Sequence, residues 1–312
     1  MKNNELIGKD IRDYLESIGF PRGESYQMKD SGKEFSAGGQ YGIEIASAQT
    51  PAVIKTMLTF IKKYSFKPNR FTETRGIFRL TDNDIKEMVN ICLNENVGLI
   101  LSVGPRAFYD TSASARSEQG ARISYRLRGM ENIIRATEDV KRAISLGVRG
   151  ILVYDEGLLS LLNRMKQDGL LPPRLALKVS VHCGHGNPLS LHLLQQMGAT
   201  SVNVVGDLEL PMIASCRKAI DIPIDIHTDT PKSSGGFIRT YDAPDIIRVG
   251  SPIFLKCGAI SSPTHAHLPS ESDINNRIYQ AYLVYQMIQH YYPEAKPVSQ
   301  EDICAALPEK EK

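Results

Sequence analysis

Eight short β-branched runs recur along this chain, with helix-forming stretches between most of them. The runs cover residues 41–47, 69–74, 98–104, 149–154, 175–182, 200–205, 223–228 and 252–257. The stretches between them carry helix start signals. Thr50-Pro51 reads as an N-cap followed by proline in the first turn, ahead of Val53, Ile54, Met57, Leu58 and Ile61 at helical spacing. Thr81 to Asp84 reads as a variant capping box before Ile85, Met88, Val89 and Cys92. Asn187-Pro188 opens a helix that stops near Gly198, and Asp242-Ala243-Pro244 opens a short one. That last start signal decides the eighth strand in favour of 252–257 over the competing run at 245–250. Strands that alternate with helices build a parallel sheet. Eight such units within residues 41–257 predict a closed (β/α)8 barrel, a size normal for a chain of 312 residues.

Residues 1–40 then form an N-terminal extension that closes the barrel, with a helix expected over 11–18. The barrel runs from 41 to 292, with an insertion at 105–128 and a last helix over 272–291. Residues 293–312 are left as a C-terminal tail.

The strands carry charge where an apolar face alone would suffice. Side chains alternate across a strand. Lys178, Ser180 and His182 therefore share one face of the fifth run, and Leu177, Val179 and Val181 the other. In the seventh run Asp225 and His227 alternate with Ile224 and Ile226. In the first run Glu44 alternates with Ile43 and Ile45. Helices cover the apolar faces, so the charged groups converge on the barrel interior. Barrel enzymes place their chemistry at the C-terminal ends of the strands. Lys178 is the leading catalytic candidate, because burial lowers an amine's pKa and a neutral amine forms Schiff bases or accepts protons. Lys256 is a second candidate, and Glu44, Asp225 and His227 would move protons. The alternative for Lys178 is a structural cation paired with Glu44 or Asp225.

Other groups fit substrate binding. Gly235-Gly236 and Arg239 follow the seventh strand, where barrels often hold phosphate. Arg106 opens an arginine-bearing insertion, and its guanidinium suits a carboxylate or phosphate. Ser180 and Asn203 complete the expected binding set. His182 and His227, with His185, Asp225 and Asp229 nearby in sequence, offer ligands for a divalent metal such as zinc, manganese or magnesium.

Composition removes several function classes. The formal net charge is +2, which gives no case for nucleic acid or an anionic membrane surface. No apolar run reaches the roughly 20 residues of a membrane span, and MKNNELIGKD has no apolar signal core. The five cysteines are scattered with no CxxC, as expected of reduced thiols in a cytoplasmic protein. A small-molecule substrate is the expected partner. Tyr285, Tyr291 and Tyr292 near the last helix leave room for a homodimer face.

The landmarks Val103-Gly104-Pro105-Arg106, Leu146 to Gly150, Leu177 to Val181, Gly235 to Arg239 and Phe254-Leu255-Lys256 resemble bacterial barrel proteins of the peptidase U32-like group. That resemblance implies the barrel fold and admits an amide hydrolase, with a metal at His182 and His227 as water activator. A weaker similarity is to barrels of the HMG-CoA lyase type. It rests on Ile224 to Thr230 and on the Glu44-bearing strand, and Asp225 stands where those barrels carry a first histidine. Three readings follow: lyase or isomerase chemistry α to a carbonyl on a small anionic metabolite, U32-like hydrolysis, and a non-catalytic ligand-binding barrel.

Overall fold

The computed structural model describes residues 7–17, 28–104, 117–118, 120, 125–261 and 268–310. Arg106 and most of the insertion 105–128 lie outside the described residues. Eight parallel strands close on one another in sequence order: β1 (Tyr41–Ala46), β2 (Arg70–Thr72), β3 (Gly98–Ser102), β4 (Gly150–Val153), β5 (Ala176–Val179), β6 (Ser201–Asn203), β7 (Ile224–His227) and β8 (Ile253–Cys257). The architecture is a (β/α)8 barrel. Helices alternate with the strands: α1 (Lys9–Ser17) precedes β1, then α2 (Pro51–Tyr64), α3 (Asp82–Glu95), α4 (Gly129–Ser145), α5 (Glu156–Gln167), α6 (Pro188–Gln196), α7 (Leu210–Ala219), α8 (Ala243–Gly250) and α9 (Glu271–Tyr291) follow in turn.

The local signals act as their chemistry requires. Thr50 Oγ1 accepts from the Val53 amide, and Thr81 and Asp84 form a reciprocal capping box. Asn187 caps α6 by accepting from the Ser190 amide. Residues 245–250 fall inside α8, so the eighth strand is the later run. The apolar strand faces and helix faces form one continuous core from Ile43 and Ile45 to Leu255.

Two expected elements are shorter than their sequence runs. The second run shrinks to Arg70–Thr72. The fifth ends at Val179, because Ser180 Oγ accepts from the His182 amide and starts a 3-10 turn over Val181–Cys183. The turn breaks the alternation that would have carried His182 inward behind Lys178.

Residues 293–310 are not a free tail. Pro297 bridges to Tyr41, the Val298 amide donates to Tyr41 O at 2.7 Å, and the Leu99 amide donates to Ala306 O at 3.0 Å. Val298 and Cys304 form a small apolar cluster with Phe35 and Phe254 across the N-terminal mouth of the barrel. A Cβ on Gly98 would lie 1.6 Å from the Ala305 carbonyl oxygen, so glycine there is required by this close approach. Of the tyrosines expected at a dimer face, Tyr285 and Tyr291 are half-buried and Tyr292 is buried. Tyr292 is buried under the Arg248 guanidinium, and the Tyr285 ring lies 6.0 Å from that of Phe66.

Candidate functional site

The charged residues predicted to face inward do meet on the barrel axis. Glu44, Lys178 and Asp225 are fully buried. Lys178 Nζ donates to Glu44 Oε2 at 2.6 Å and to Asp225 Oδ1 at 3.0 Å. Arg70, at the first position of β2, inserts from below. Its Nε donates to Glu44, one terminal nitrogen donates to Asp225, and the other donates to Cys304 O at 2.6 Å. The guanidinium lies over the Phe254 ring, 3.4 Å from its centroid. Lys256 approaches the other Glu44 oxygen at 3.4 Å. The pairing alternative for Lys178 is therefore what the geometry contains.

Three basic groups thus face two carboxylates in a space without bulk water. Burial pushes the Glu44 carboxyl up, but Arg70, Lys178 and Lys256 together outweigh it and hold it well below its ordinary range. Burial lowers Lys178 far, and the Arg70 charge lowers it further against the pull of Glu44. Burial also lowers Lys256, again opposed by Glu44. His227 is pushed well down by burial and then by the two lysines, so its imidazole is neutral at neutral pH.

Depth separates these residues. Lys178, Glu44, Asp225, Arg70 and Asn203 are 0% exposed, whereas Lys256 is 4% and His227 8% exposed. Lys256 and His227 are register partners on β8 and β7, towards the C-terminal end where barrel chemistry occurs. Asn203 ends β6 and pairs with Asp225. Its amide nitrogen and oxygen, His227 Nδ1, Thr72 Oγ1 and Asp225 Oδ2 are buried with no hydrogen-bond partner among the described residues. Buried polar atoms are normally paired, and an unpaired one costs about 1–3 kcal/mol. Such a set around one axis suits a ligand that completes the bonds.

The expected anion loop after β7 is occupied by its own contacts. The Gly235 amide donates to Lys232 O at 3.3 Å and the Gly236 amide to Pro231 O at 3.0 Å. Arg239 donates to Asp242 at 2.9 Å, Gly206 O at 2.8 Å and Leu208 O at 2.7 Å. The amides of Gly258 and Ile260 after β8 are capped by the Asp229 carboxylate at 2.8 and 2.7 Å.

His182 and His227, the expected metal pair, lie near enough for the charge of one to act on the other. The His182 ring stacks on Tyr125 with centroids 3.7 Å apart, while Ser180 is committed to capping the turn. The metal-ligating group that does assemble among the described residues is Glu156, Cys183 and His185, whose donor atoms lie within 4.8 Å of one another. Burial pushes the Cys183 thiol up to about 12 against the nearby Arg126 charge, which leaves it protonated and a poor nucleophile.

Arg70 and Glu156 are the members that the sequence reading passed over. Arg70 sat in a polar run whose inward face had no apolar partner pattern to mark it. Glu156 lies in the first turn of α5, where an acidic residue is ordinary helix-start chemistry.

No family model matches the sequence, and no curated protein matches it. Solved structures share the general architecture. The YdjI aldolase of Escherichia coli K12 is 13% identical, with a TM-score of 0.49 over 81% of this chain and 92% of that one. A U32 peptidase is 11% identical, with a TM-score of 0.41 over 75% and 96%. The truncated 3-deoxy-D-arabino-heptulosonate 7-phosphate synthase of Thermotoga maritima is 11% identical, with a TM-score of 0.46 over 84% and 91%. The U32 peptidase is one among these differently named structures. Fold alone assigns no activity.

Proposed function

We propose that this barrel is an enzyme with lyase- or isomerase-type chemistry on a small anionic carbonyl compound, with Lys256 as the reacting amine. The observation that carries the reading is Lys256 itself. It is the outer lysine, its one carboxylate contact is long, and its register partner is the neutral, incompletely bonded His227.

The downward push is stronger on Lys178 than on Lys256. The contacts favour Lys256 as the neutral amine. Removing the proton from Lys178 would leave Glu44 and Asp225 held together by Arg70 alone. Removing it from either lysine leaves two cations facing two carboxylates, but a neutral Lys256 keeps Arg70 and Lys178, the two cations that each bridge Glu44 and Asp225. Lys256 Nζ then attacks the substrate carbonyl carbon, the oxygen leaves as water carrying one amine hydrogen and one proton drawn from solvent, and a protonated imine forms. The imine draws electrons from the adjacent C–H or C–C bond, and His227 accepts or returns the proton. The imine restores a third positive charge on the axis. A substrate carboxylate or phosphate supplies the matching negative one, which is why the substrate class is anionic. Asn203 hydrogen-bonds the bound compound.

Borohydride reduction tests this on the tag-free protein with a panel of 2-oxo acids and phosphorylated aldehydes. A stable adduct on the peptide carrying Lys256, lost in Lys256→Met, is expected. Lack of an adduct with every compound that binds, or an adduct that survives Lys256→Met, would sink the reading.

A further inference from the structure

The upper rim of the barrel holds a second group of chemically distinct side chains. Glu156 opens α5 directly after β4, and Cys183 and His185 lie in the connection from β5 to α6. His185 Nε2 lies 2.8 Å from Glu156 Oε1, and the Cys183 sulfur completes the trio within 4.8 Å. The backbone fixes both ends of the cysteine–histidine pair. The Cys183 amide donates to Ser180 O at 3.0 Å, and the Val205 amide donates to His185 O at 3.0 Å. Gly184 between them adopts the left-handed conformation, with φ +78°.

Thiolate, imidazole and carboxylate are the three donor types of zinc sites. Ligand atoms about 2.0–2.3 Å from a tetrahedral ion lie roughly 3.3–3.8 Å from each other, so the trio needs only small side-chain shifts to enclose one. All three residues are partly exposed, which leaves a fourth position facing the solvent at the rim. Three protein ligands with one open position is the pattern of zinc sites that bind water or substrate. A guanidinium now holds this space: Arg126 donates to Glu156, to Tyr154 O at 3.3 Å and to Cys183 O at 3.4 Å, with its Nη1 3.9 Å from the Cys183 sulfur.

We propose that Glu156, Cys183 and His185 form a binding site for a zinc-type divalent cation at the barrel rim, which the cation enters by displacing the Arg126 guanidinium and releasing the Cys183 thiol proton to solvent. The site is separate from the axial lysines and does not depend on Lys256 chemistry. Its test reads binding alone.

The experiment titrates Zn2+ and Co2+ into chelator-treated, tag-free protein, with a chromophoric chelator as competitor for zinc and absorbance as the signal for cobalt. One equivalent is expected to bind, and cobalt should show a sulfur-to-metal charge-transfer band. Cys183→Ser should abolish the band, and both Cys183→Ser and His185→Asn should weaken zinc at least about tenfold. Arg126→Gln should tighten zinc several-fold, because its competitor is gone. Circular dichroism confirms that each variant is folded, and the two ligand variants stand in for each other should one fail to fold. No stoichiometric binding would overturn the proposal. So would zinc affinity unchanged in both ligand variants, a cobalt complex without sulfur character, or unchanged affinity in Arg126→Gln.

Discussion

Arg70 Nη1 donates to the carbonyl oxygen of Cys304 at 2.6 Å, joining the first residue of β2 to a segment 234 residues further on. The same guanidinium contacts Glu44 and Asp225. One side chain thus ties the C-terminal closure of the barrel to the charges on its axis. Arg70→Met removes one buried cation from two carboxylates and leaves the Cys304 carbonyl without this donor. A loss of about 3–5 kcal/mol of stability is expected, as for breaking any buried ion pair from one side. Urea denaturation followed by circular dichroism measures it. A loss below about 1 kcal/mol would mean that the network relaxes without Arg70.

The barrel was legible because strand and helix periods repeat with caps between them, and a closed ring follows from counting. Glu44, Lys178 and Asp225 were legible because alternation within a strand fixes which face a residue takes. His182 was misplaced by that same rule, since one hydroxyl, Ser180 Oγ, ended the strand three residues early. Residues 293–310 carry no strand or helix period. Their role comes from long-range contacts such as Val298 with Tyr41 and Ala306 with Leu99, which a local pattern does not encode. Gly235, Gly236 and Arg239 matched a phosphate loop in composition. Which atoms their N–H groups face is a property of the folded turn.

The closure gives a second prediction. Gly98→Ala would drive a Cβ into the Ala305 carbonyl, and that atom is backbone, so it cannot rotate aside. Residues 296–306 should lift from the barrel mouth. A cost of about 1–3 kcal/mol is expected, in the range for overpacking. Limited proteolysis should cleave this segment in the variant well before the wild type. Equal cleavage rates would show that the mouth is not closed this way.

His227 predicts a pH dependence. In the unfolded chain it titrates near its ordinary value of 6.5, and in the folded chain well below it. Above that ordinary value neither state binds the proton, and its contribution to stability is complete. As pH falls below about 6.5, the unfolded chain takes up a proton that the folded chain refuses. Stability then drops by up to about 1.4 kcal/mol per pH unit from this residue alone. The drop ends when the folded pKa is reached. His227→Asn should flatten the stability profile between about pH 6.5 and 5 by one proton's worth, a window above the ordinary range of Glu44. Parallel profiles for the two proteins in urea would show that His227 titrates normally in the fold.

The two lysines should separate cleanly, because they stand in different relations to the same carboxylates. Lys178 bridges Glu44 and Asp225 with two short contacts, while Lys256 has one at 3.4 Å. Lys178→Met leaves two buried carboxylates with Arg70 as their close cation. It should cost about 3–5 kcal/mol, and Glu44→Gln added to it should recover part of that loss. Lys256→Met removes the basic group in excess and fills its space with a chain of similar length. It should change stability by less than about 1.5 kcal/mol. Urea midpoints of the three variants decide the matter. If Lys256→Met proves as damaging as Lys178→Met, then Lys256 is charged in the folded protein, and the surplus positive charge on the axis must be neutralised elsewhere.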